Sequence, residues 1–312
     1  MFEIDTRAIT RFSIVLPTYN SEPTLYETLE SIFIQRWPNV EVIVVDGGSK
    51  DQTVEIANNY AGLEMIVISE PDKGIYDAIN KGIARATGDL ICVVGSDDRL
   101  ADGAFSIVHD TWSIRRTDIV AGRALLESPN GSVSLRLDEA YGVGALVSGI
   151  PFCHNSMFVT PETYRKVGSY SLNYKICADA DWVHRSIRNG CTCSRVEQVL
   201  VHFSLSGTSS VNDELIMTET YAVVASNFPG LTMEEAEILF KAVRRWTDAS
   251  AVPAILARHQ ENSALAKAVL EGLNSSSIEH AIDRIVNDSP AVKSFSEKAL
   301  GKVIKFFKHG SL

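Results

Sequence analysis

The order of residues predicts an α/β fold with a largely parallel sheet, followed by a helical extension. Over the first hundred residues, short β-branched runs alternate with amphipathic helical stretches; four of those runs end in polar or acidic turns, and the pattern becomes helical beyond about residue 211. With 312 residues, 45% of them hydrophobic, the chain is long enough for a domain at 1–210 plus an extension at 211–312.

Residues 12–16 form the first predicted strand, and after Pro17-Thr18-Tyr19-Asn20 the side chains of Leu25, Leu29, Ile32 and Phe33 fall on one helical face. Residues 40–45 are the second and most apolar strand. It stops at Asp46, Gly47-Gly48-Ser49 breaks it, and Val54, Ile56, Ala57 and Tyr60 predict a short helix. Residues 65–68 are the third strand, followed by a turn at Pro71 and a helix in which Ile75, Ile79 and Ile83 recur every four residues. Residues 90–94 are the fourth, running into Gly95-Ser96-Asp97-Asp98. Beyond it come a helix at 103–114, a strand at 118–121, a loop-rich, substrate-facing stretch at 128–151 and a strand at 155–159. Thr160-Pro161-Glu162 reads as a helix start with its N-cap and first-turn proline, and 179–190 as a helix with acids at its positive end and Gly190 at its C-cap. Residues 196–203 are the last strand of this domain. The extension carries a capping box at Thr232 and Glu235, with helices expected at 254–272 and 278–287.

The net charge of −10 argues against sequence-independent binding of nucleic acid, which needs clustered Lys and Arg to neutralise phosphates. No apolar run reaches the ~20 residues of a membrane span, and the opening residues carry acids where a signal peptide would be basic and then apolar, so the expected location is cytoplasmic. Five scattered cysteines lack the spacing of a zinc or redox site and read as reduced thiols.

Ligands of open α/β sheets bind at the carboxyl ends of the strands, which makes the four polar strand ends the candidate site. Each alone reads equally well as a solvated turn. The pair Asp97-Asp98 is the most telling: two adjacent, partly desolvated carboxylates repel and invite a divalent cation, and all-oxygen ligands suit Mg²⁺ or Mn²⁺ bridging to phosphate. The structural alternative is that Asp98 caps the following helix. No GxxxxGK[ST] or GxGxxG loop is present, so a diphosphate would be held through metal.

Ile14-Val15-Leu16-Pro17-Thr18-Tyr19-Asn20, the Val44–Thr53 stretch containing Asp46-Gly47-Gly48-Ser49, the Glu70–Gly82 stretch containing Asp72-Lys73-Gly74-Ile75-Tyr76-Asp77, and Gly95-Ser96-Asp97-Asp98 resemble the ordered motifs of family 2 glycosyltransferases. The likeness is strongest over 12–100 and readable to about 207, and it is greatest to bacterial enzymes of exopolysaccharide, colanic-acid and O-antigen assembly. It implies a GT-A fold, a Rossmann-like mixed sheet flanked by helices. It also implies a nucleotide-diphosphate sugar donor, a divalent metal and inversion at the anomeric carbon. By matching positions, Pro17, Thr18 and Asn20 lie beside the nucleoside, Asp46 recognises the base, commonly uracil, and Lys73 and Asp77 border the ribose, diphosphate or sugar. Asp97 and Asp98 stand in the metal-binding acidic motif, Asp98 being the preferred ligand and His202 a further candidate. Ser96 departs from that motif's first acid, and Ile79 stands where many members carry Arg.

Inverting transfer needs one carboxylate base opposite the departing diphosphate. Cys177-Ala178-Asp179-Ala180-Asp181-Trp182 resembles the family's base motif; Asp179 is the choice by position and Asp181 the alternative. His154 and Asn155 resemble an acceptor-side motif, and Trp182 reads as core or as an acceptor-stacking platform. The acceptor implied is a glycan or a lipid-linked hydroxyl. Residues 290–312 hold five Lys against one Glu, interleaved with Val303, Ile304, Phe306 and Phe307; they fit either peripheral association with an anionic inner membrane face or a helix docked on the protein. Two other readings stay open, a nucleotidyltransferase acting on a sugar phosphate and an inactive sugar-nucleotide binding module.

Overall fold

The computed structural model describes residues 9–207 and 212–273, so the expected helix at 278–287 and the basic stretch at 290–312 lie outside the described residues. Contacts divide the chain into two compact units, Met1–Tyr141 with Ile150–Thr220, and Gly142–Gly149 with Tyr221–Leu312.

The first unit is built on one nine-stranded sheet. Its parallel half has the order β3 (Glu64–Ser69), β2 (Val40–Asp46), β1 (Phe12–Thr18), β4 (Leu90–Val93). Next to β4 the sense changes. β8 (Met157–Val159) runs antiparallel both to β4 and to β6 (Ile119–Glu127), and β6 pairs in parallel with β9 (Cys193–Ser204). A two-residue β5 (Arg99–Leu100) lies on the far side of β9, and β7 (Val133–Leu135) forms a hairpin with β6. The sheet is therefore mixed, as the family resemblance implied, and less parallel than the alternation of periods suggests. Strands as short as β5 and β8 carry too few residues to show a period.

Crossover helices α1 (Leu25–Phe33), α2 (Thr53–Asn59) and α3 (Ile75–Arg85) follow the first three strands, and α4 (Ala104–Arg115) follows β5. All of β1 is buried, and Phe12 stacks on Phe105 of α4 at 4.6 Å between ring centroids. The buried face of α3 is Tyr76, Ala78, Ile79 and Gly82, with Ile75 exposed, so Tyr76 is turned inward. Thr160 caps α6 (Pro161–Val167) as expected, and Gly190, at φ +66°, follows α7 (Ala178–Arg188) in the left-handed conformation that ends it. The stretch 128–151 is more ordered than expected: it holds β7 and the short helix α5 (Ala145–Ser148). Helix α8 (Asp213–Ser226) begins in the first unit and ends in the second.

Within the second unit, α5 packs with α9 (Met233–Val243) and α11 (Ser263–Gly272), and α10 (Val252–Arg258) packs on α9. The helix expected over 254–272 is two helices, because Asn262 caps a new start by accepting from Leu265 N at 3.0 Å. The capping box forms. Thr232 Oγ1 accepts from Glu235 N at 3.2 Å and Glu235 Oε2 accepts from Thr232 N at 3.0 Å, while Arg258 and His259 close on the same carboxylate at 2.9 Å each. Burial alone would raise the Glu235 pKa, but these donors hold it down to about 2. A depressed carboxylate contributes stability above its unfolded value of 4.5 and loses it as pH falls through about 2. Glu235→Ala is expected to cost about 2 kcal/mol in denaturant unfolding at neutral pH, a deficit that shrinks as the pH falls from about 4.5 towards 2.

Candidate functional site

The carboxyl ends of β1, β2 and β3 are laced together by their loops. Asn20 N donates to Ser49 Oγ at 2.7 Å, Lys50 N to Asn20 Oδ1 at 2.9 Å, and Ser21 N to Thr53 Oγ1 at 2.7 Å. Asn20 takes a positive φ of 48°, which a short amide side chain tolerates. Asp46 is the knot beneath these loops. It is 0% exposed and accepts from Gly48 N and Ser49 N at 3.0 Å each, Ser69 Oγ at 2.8 Å, Ser49 Oγ, and Thr18 Oγ1 at 3.4 Å. Burial would raise its pKa, yet the hydroxyls of Ser49 and Ser69 and the two backbone amides hold it below the usual range. Five donors crowd the roughly four lone-pair directions of a carboxylate, so Asp46 organises the turn beneath these loops.

The open carboxylate beside it belongs to Asp72. Its Oδ1 accepts from Gly74 N at 2.8 Å, and its Oδ2 lies 2.5 Å from where a Cβ on Gly47 would stand, so the space a side chain at position 47 would need is already filled by Asp72. Asp77, by contrast, is engaged in holding the start of α3, with Asp77 Oδ2 accepting from Lys73 N at 3.1 Å and pairing with Lys81 at 3.2 Å. The Lys73 side chain is exposed.

At the end of β4 the chain turns through Gly95, where a Cβ would sit 2.6 Å from Asp98 Oδ2. Asp98 is 2% exposed; it accepts from Gly95 N at 3.2 Å, from Ser204 N at 2.8 Å, and from Asn155 Nδ2. Burial, then the neighbouring charge of Asp97, push its pKa up to about 7 despite those donors. Asp97 is only half-buried, and burial raises it too. Three donors leave Asp98 one lone-pair direction, and Asp97 keeps more.

The third centre lies at the start of α7. Asp179 is half-buried, its Oδ1 accepting from Ala180 N at 2.8 Å and facing the Tyr76 hydroxyl at 3.3 Å. Tyr76 donates to Ile176 O and accepts from Asp179 N at 3.4 Å. Tyr76 stacks on Tyr170, whose hydroxyl meets His154 Nε2 at 2.7 Å and whose backbone is gripped twice by Asn80 at 2.9 Å. His154 and Asn155 thus join two carboxylate centres: Asn155 holds Asp98, and His154 reaches Asp179 through the two tyrosines. Burial lowers the His154 pKa, and the charge of Asp179 opposes it.

Several expected residues take other places. Asp181 is buried and bonded to Arg185 Nε at 2.9 Å, while that guanidinium also donates to Val167 O and Ser169 O. Trp182 is 0% exposed, donates to Gly168 O at 2.8 Å and packs among Tyr164 and Tyr170, so it is core and has no face for an acceptor. His154 is likewise enclosed, held by the Tyr170 hydroxyl and by Asn155. His202 bonds Glu127 at 2.8 Å, which pairs with Arg99 at 2.6 Å, and it stands outside the acid pair's own set of contacts. Tyr76, Asp72 and Ser204 were not singled out by sequence reasoning. The first two lie inside a recognised motif whose other residues drew attention, and Ser204 reaches the acid pair from a strand end remote in sequence, its backbone amide bonding Asp98 and its hydroxyl bonding Asp97.

Comparison with known proteins speaks to the family and the fold. The family described as Glycosyl transferase family 2 matches residues 13–166. A PGL/p-HBAD biosynthesis glycosyltransferase of Mycobacterium bovis (strain BCG / Pasteur 1173P2) is 30% identical over 240 residues, covering 75% of this chain and 90% of its own. An uncharacterized glycosyltransferase of Mycobacterium tuberculosis is 29% identical over 215 residues, 64% of this chain and 76% of its own. Among solved structures, S. aureus TarS 1-349 in complex with UDP-GlcNAc superposes with a TM-score of 0.60 at 19% identity, over 84% of this chain and 81% of that one. The mannosyltransferase PcManGT from Pyrobaculum calidifontis, in complex with GDP-Man and Mn²⁺, gives 0.55 at 17% identity, over 88% of each. At these identities the structural likeness is one of fold, the GT-A arrangement of a mixed sheet flanked by helices.

The knot at Asp46 has a measurable consequence. Asp46→Asn replaces one acceptor oxygen by an NH₂ that faces other donors, and chemical denaturation without ligand is expected to show a loss of about 2 kcal/mol or more. An unchanged midpoint would contradict the saturated geometry.

Proposed function

Because this chain belongs to glycosyl transferase family 2 and is a glycosyltransferase, we propose that it transfers a sugar with inversion from a nucleotide-diphosphate donor, UDP-linked in first place, to a hydroxyl of a glycan or lipid-linked acceptor in surface-polysaccharide assembly. The observation that carries the reading is the bridge from Asp98 through Asn155, His154, Tyr170 and Tyr76 to Asp179, which sets one half-buried carboxylate apart from an acid pair whose Asp98 is buried, within one unit. Two structural neighbours hold UDP-GlcNAc and GDP-Man with Mn²⁺, which supports a nucleotide-sugar donor here. Among the described residues no helix is long and apolar enough to cross a membrane, and the proposed setting is the cytoplasmic side of one.

The acid pair fits a divalent cation of one kind. No group of three or more His, Cys, Asp or Glu gathers among the described residues, so a protein cage is not the fit. Mg²⁺ or Mn²⁺ taken by one or two carboxylates, with diphosphate and water supplying the rest, is, and such an ion would offset what raises the Asp98 pKa, burial first and then the charge of Asp97. Asp98, oriented by three donors, and the more open Asp97 would hold it. When bound, the ion neutralises charge on the departing diphosphate.

The chain's own residues do the rest. Pro17, Thr18 and Asn20, with the Asp46 turn beneath them, shape the nucleoside side; Asp72 offers Oδ2 to a donor on the base, and Lys73 and Asp77 flank the diphosphate or sugar. Asp179 Oδ1 is already engaged, so Oδ2 accepts the proton of the acceptor hydroxyl as its oxygen bonds to the anomeric carbon and the bond to the diphosphate oxygen breaks on the opposite face. Asp181 is spent on Arg185.

Asp179→Asn is expected to lower nucleotide-diphosphate release with UDP-sugars by about 10²-fold or more while donor binding stays within about two-fold. Full activity in that variant, or release of pyrophosphate instead, would overturn the reading. The acid pair also predicts a pH dependence. Folded Asp98 keeps a proton up to about 7 whereas the unfolded carboxyl loses it near 3.8, so in metal-free protein this group's contribution to stability falls as pH rises between those values. A cation competes with that proton, and the rise in melting temperature produced by saturating Mn²⁺ is expected to grow from about pH 5.5 to about pH 7.5.

A further inference from the structure

We propose that Glu219, which belongs to no recognised motif, is a positioning residue for the Asp179 base. The inference rests on the assignment of Asp179 above and extends it to the device that sets where that carboxylate stands. Helix α7 has no side-chain cap of its own: its N-cap residue is Cys177, which makes no capping bond. The missing acceptor comes from α8. Glu219 is 8% exposed, and its carboxylate accepts from three successive amides, Lys175 N at 2.7 Å, Ile176 N at 2.8 Å and Cys177 N at 2.9 Å.

These are the residues that lead directly into the turn bearing Asp179. The peptide of Ile176 is gripped on both sides, its N–H by Glu219 and its carbonyl by the Tyr76 hydroxyl, which also meets Asp179. Cys177 is tied to α8 as well, with its Sγ 3.5 Å from Ile216 O and 3.6 Å from Thr220 Oγ1. A buried carboxylate costs free energy unless charge-assisted bonds saturate it, and here all three go to one short stretch of backbone. Its effect is to fix the entry of α7, and with it the direction of Asp179, from a helix distant in sequence. Burial, then the charges of Asp179 and Glu219, push the Cys177 thiol up to about 12, which places both carboxylates within electrostatic reach of that residue. The other titratable groups facing Asp179 are Tyr76, Tyr170, His154 and Cys153.

Two variants of the full chain test this, with Glu214→Gln, an equal charge change on the exposed side of α8, as control. Glu219→Gln keeps the volume but cannot accept three amides, and it removes a negative charge. Glu219→Asp keeps the charge and withdraws the carboxylate by one methylene. Both are expected to lower kcat by about 10-fold or more, with the dissociation constant of the UDP-sugar within about two-fold of wild type. A fall in kcat at unchanged donor affinity separates a positioning role from a merely structural one, and Glu219→Asp, which keeps the charge, shows whether the place of the carboxylate matters beyond its charge. Wild-type kcat in both variants overturns the proposal, as does a loss of kcat that merely tracks loss of folded protein and of donor affinity. Failure of the base assignment is read separately, from full activity in Asp179→Asn.

Discussion

Burial of a single carboxylate, that of Asp98, organises this site. An ionised carboxyl removed from water is tolerated only when donors surround it, and those donors come from three stretches of chain: the turn after β4, the end of β9 and the segment before β8. The first belongs to the parallel half of the sheet and the other two to the half where the sense changes. The pin therefore stands at the carboxyl end of β4, where the strand order leaves the parallel run, which is where open α/β sheets place their ligands. Even with three donors the balance is incomplete, because Asp97 adds a second negative charge beside the first. That residual repulsion is the feature on which the proposal of a cation at this spot rests.

The acids of this chain separate into two groups by what their oxygens are already doing. Asp46, Asp77, Asp181 and Glu219 are engaged by backbone amides, hydroxyls or cationic side chains, and each holds a turn or a helix start. Asp72, Asp97 and Asp179 each retain a carboxylate oxygen that the neighbouring donors do not saturate. The net charge of −10 does not distinguish the groups, nor does position in a motif: Asp46 and Asp72 stand at adjacent strand ends and have opposite fates. The distinction matters for chemistry, since only an oxygen with a free lone pair takes a proton, a cation or a base.

Much of this was legible in the residues. The first four strands and their crossover helices fall where the periods place them, because each is a local pattern of apolar spacing ended by a turn former. The strand-end motifs and the acid pair were legible for the same reason, as was the capping box at Thr232. What was not legible depended on partners remote in sequence. Trp182 has the composition of a stacking platform and proves to be enclosed by Tyr164 and Tyr170; His154 has that of an exposed ligand and is shut against Tyr170. Position in the motif favoured Asp179 over Asp181; what the sequence did not show is that Asp181 is held by Arg185, whose fork reaches back to the segment before α7.

The sequence by itself determined the class of fold, the succession of the first strands and helices along the chain and most of the candidate site residues, because these follow from hydrophobic period, turn chemistry and residue type. Only the tertiary structure decided which of those residues are free to act. It assigned Asp46 to the turn and left Asp72 open, enclosed Asp98 while leaving Asp97 half-buried, and brought Tyr76 and Glu219, far apart in sequence, to either side of the peptide ahead of Asp179. The physical reason is that a carboxylate's availability is the difference between its lone pairs and the donors that converge on it, and convergence of donors is a property of the folded chain.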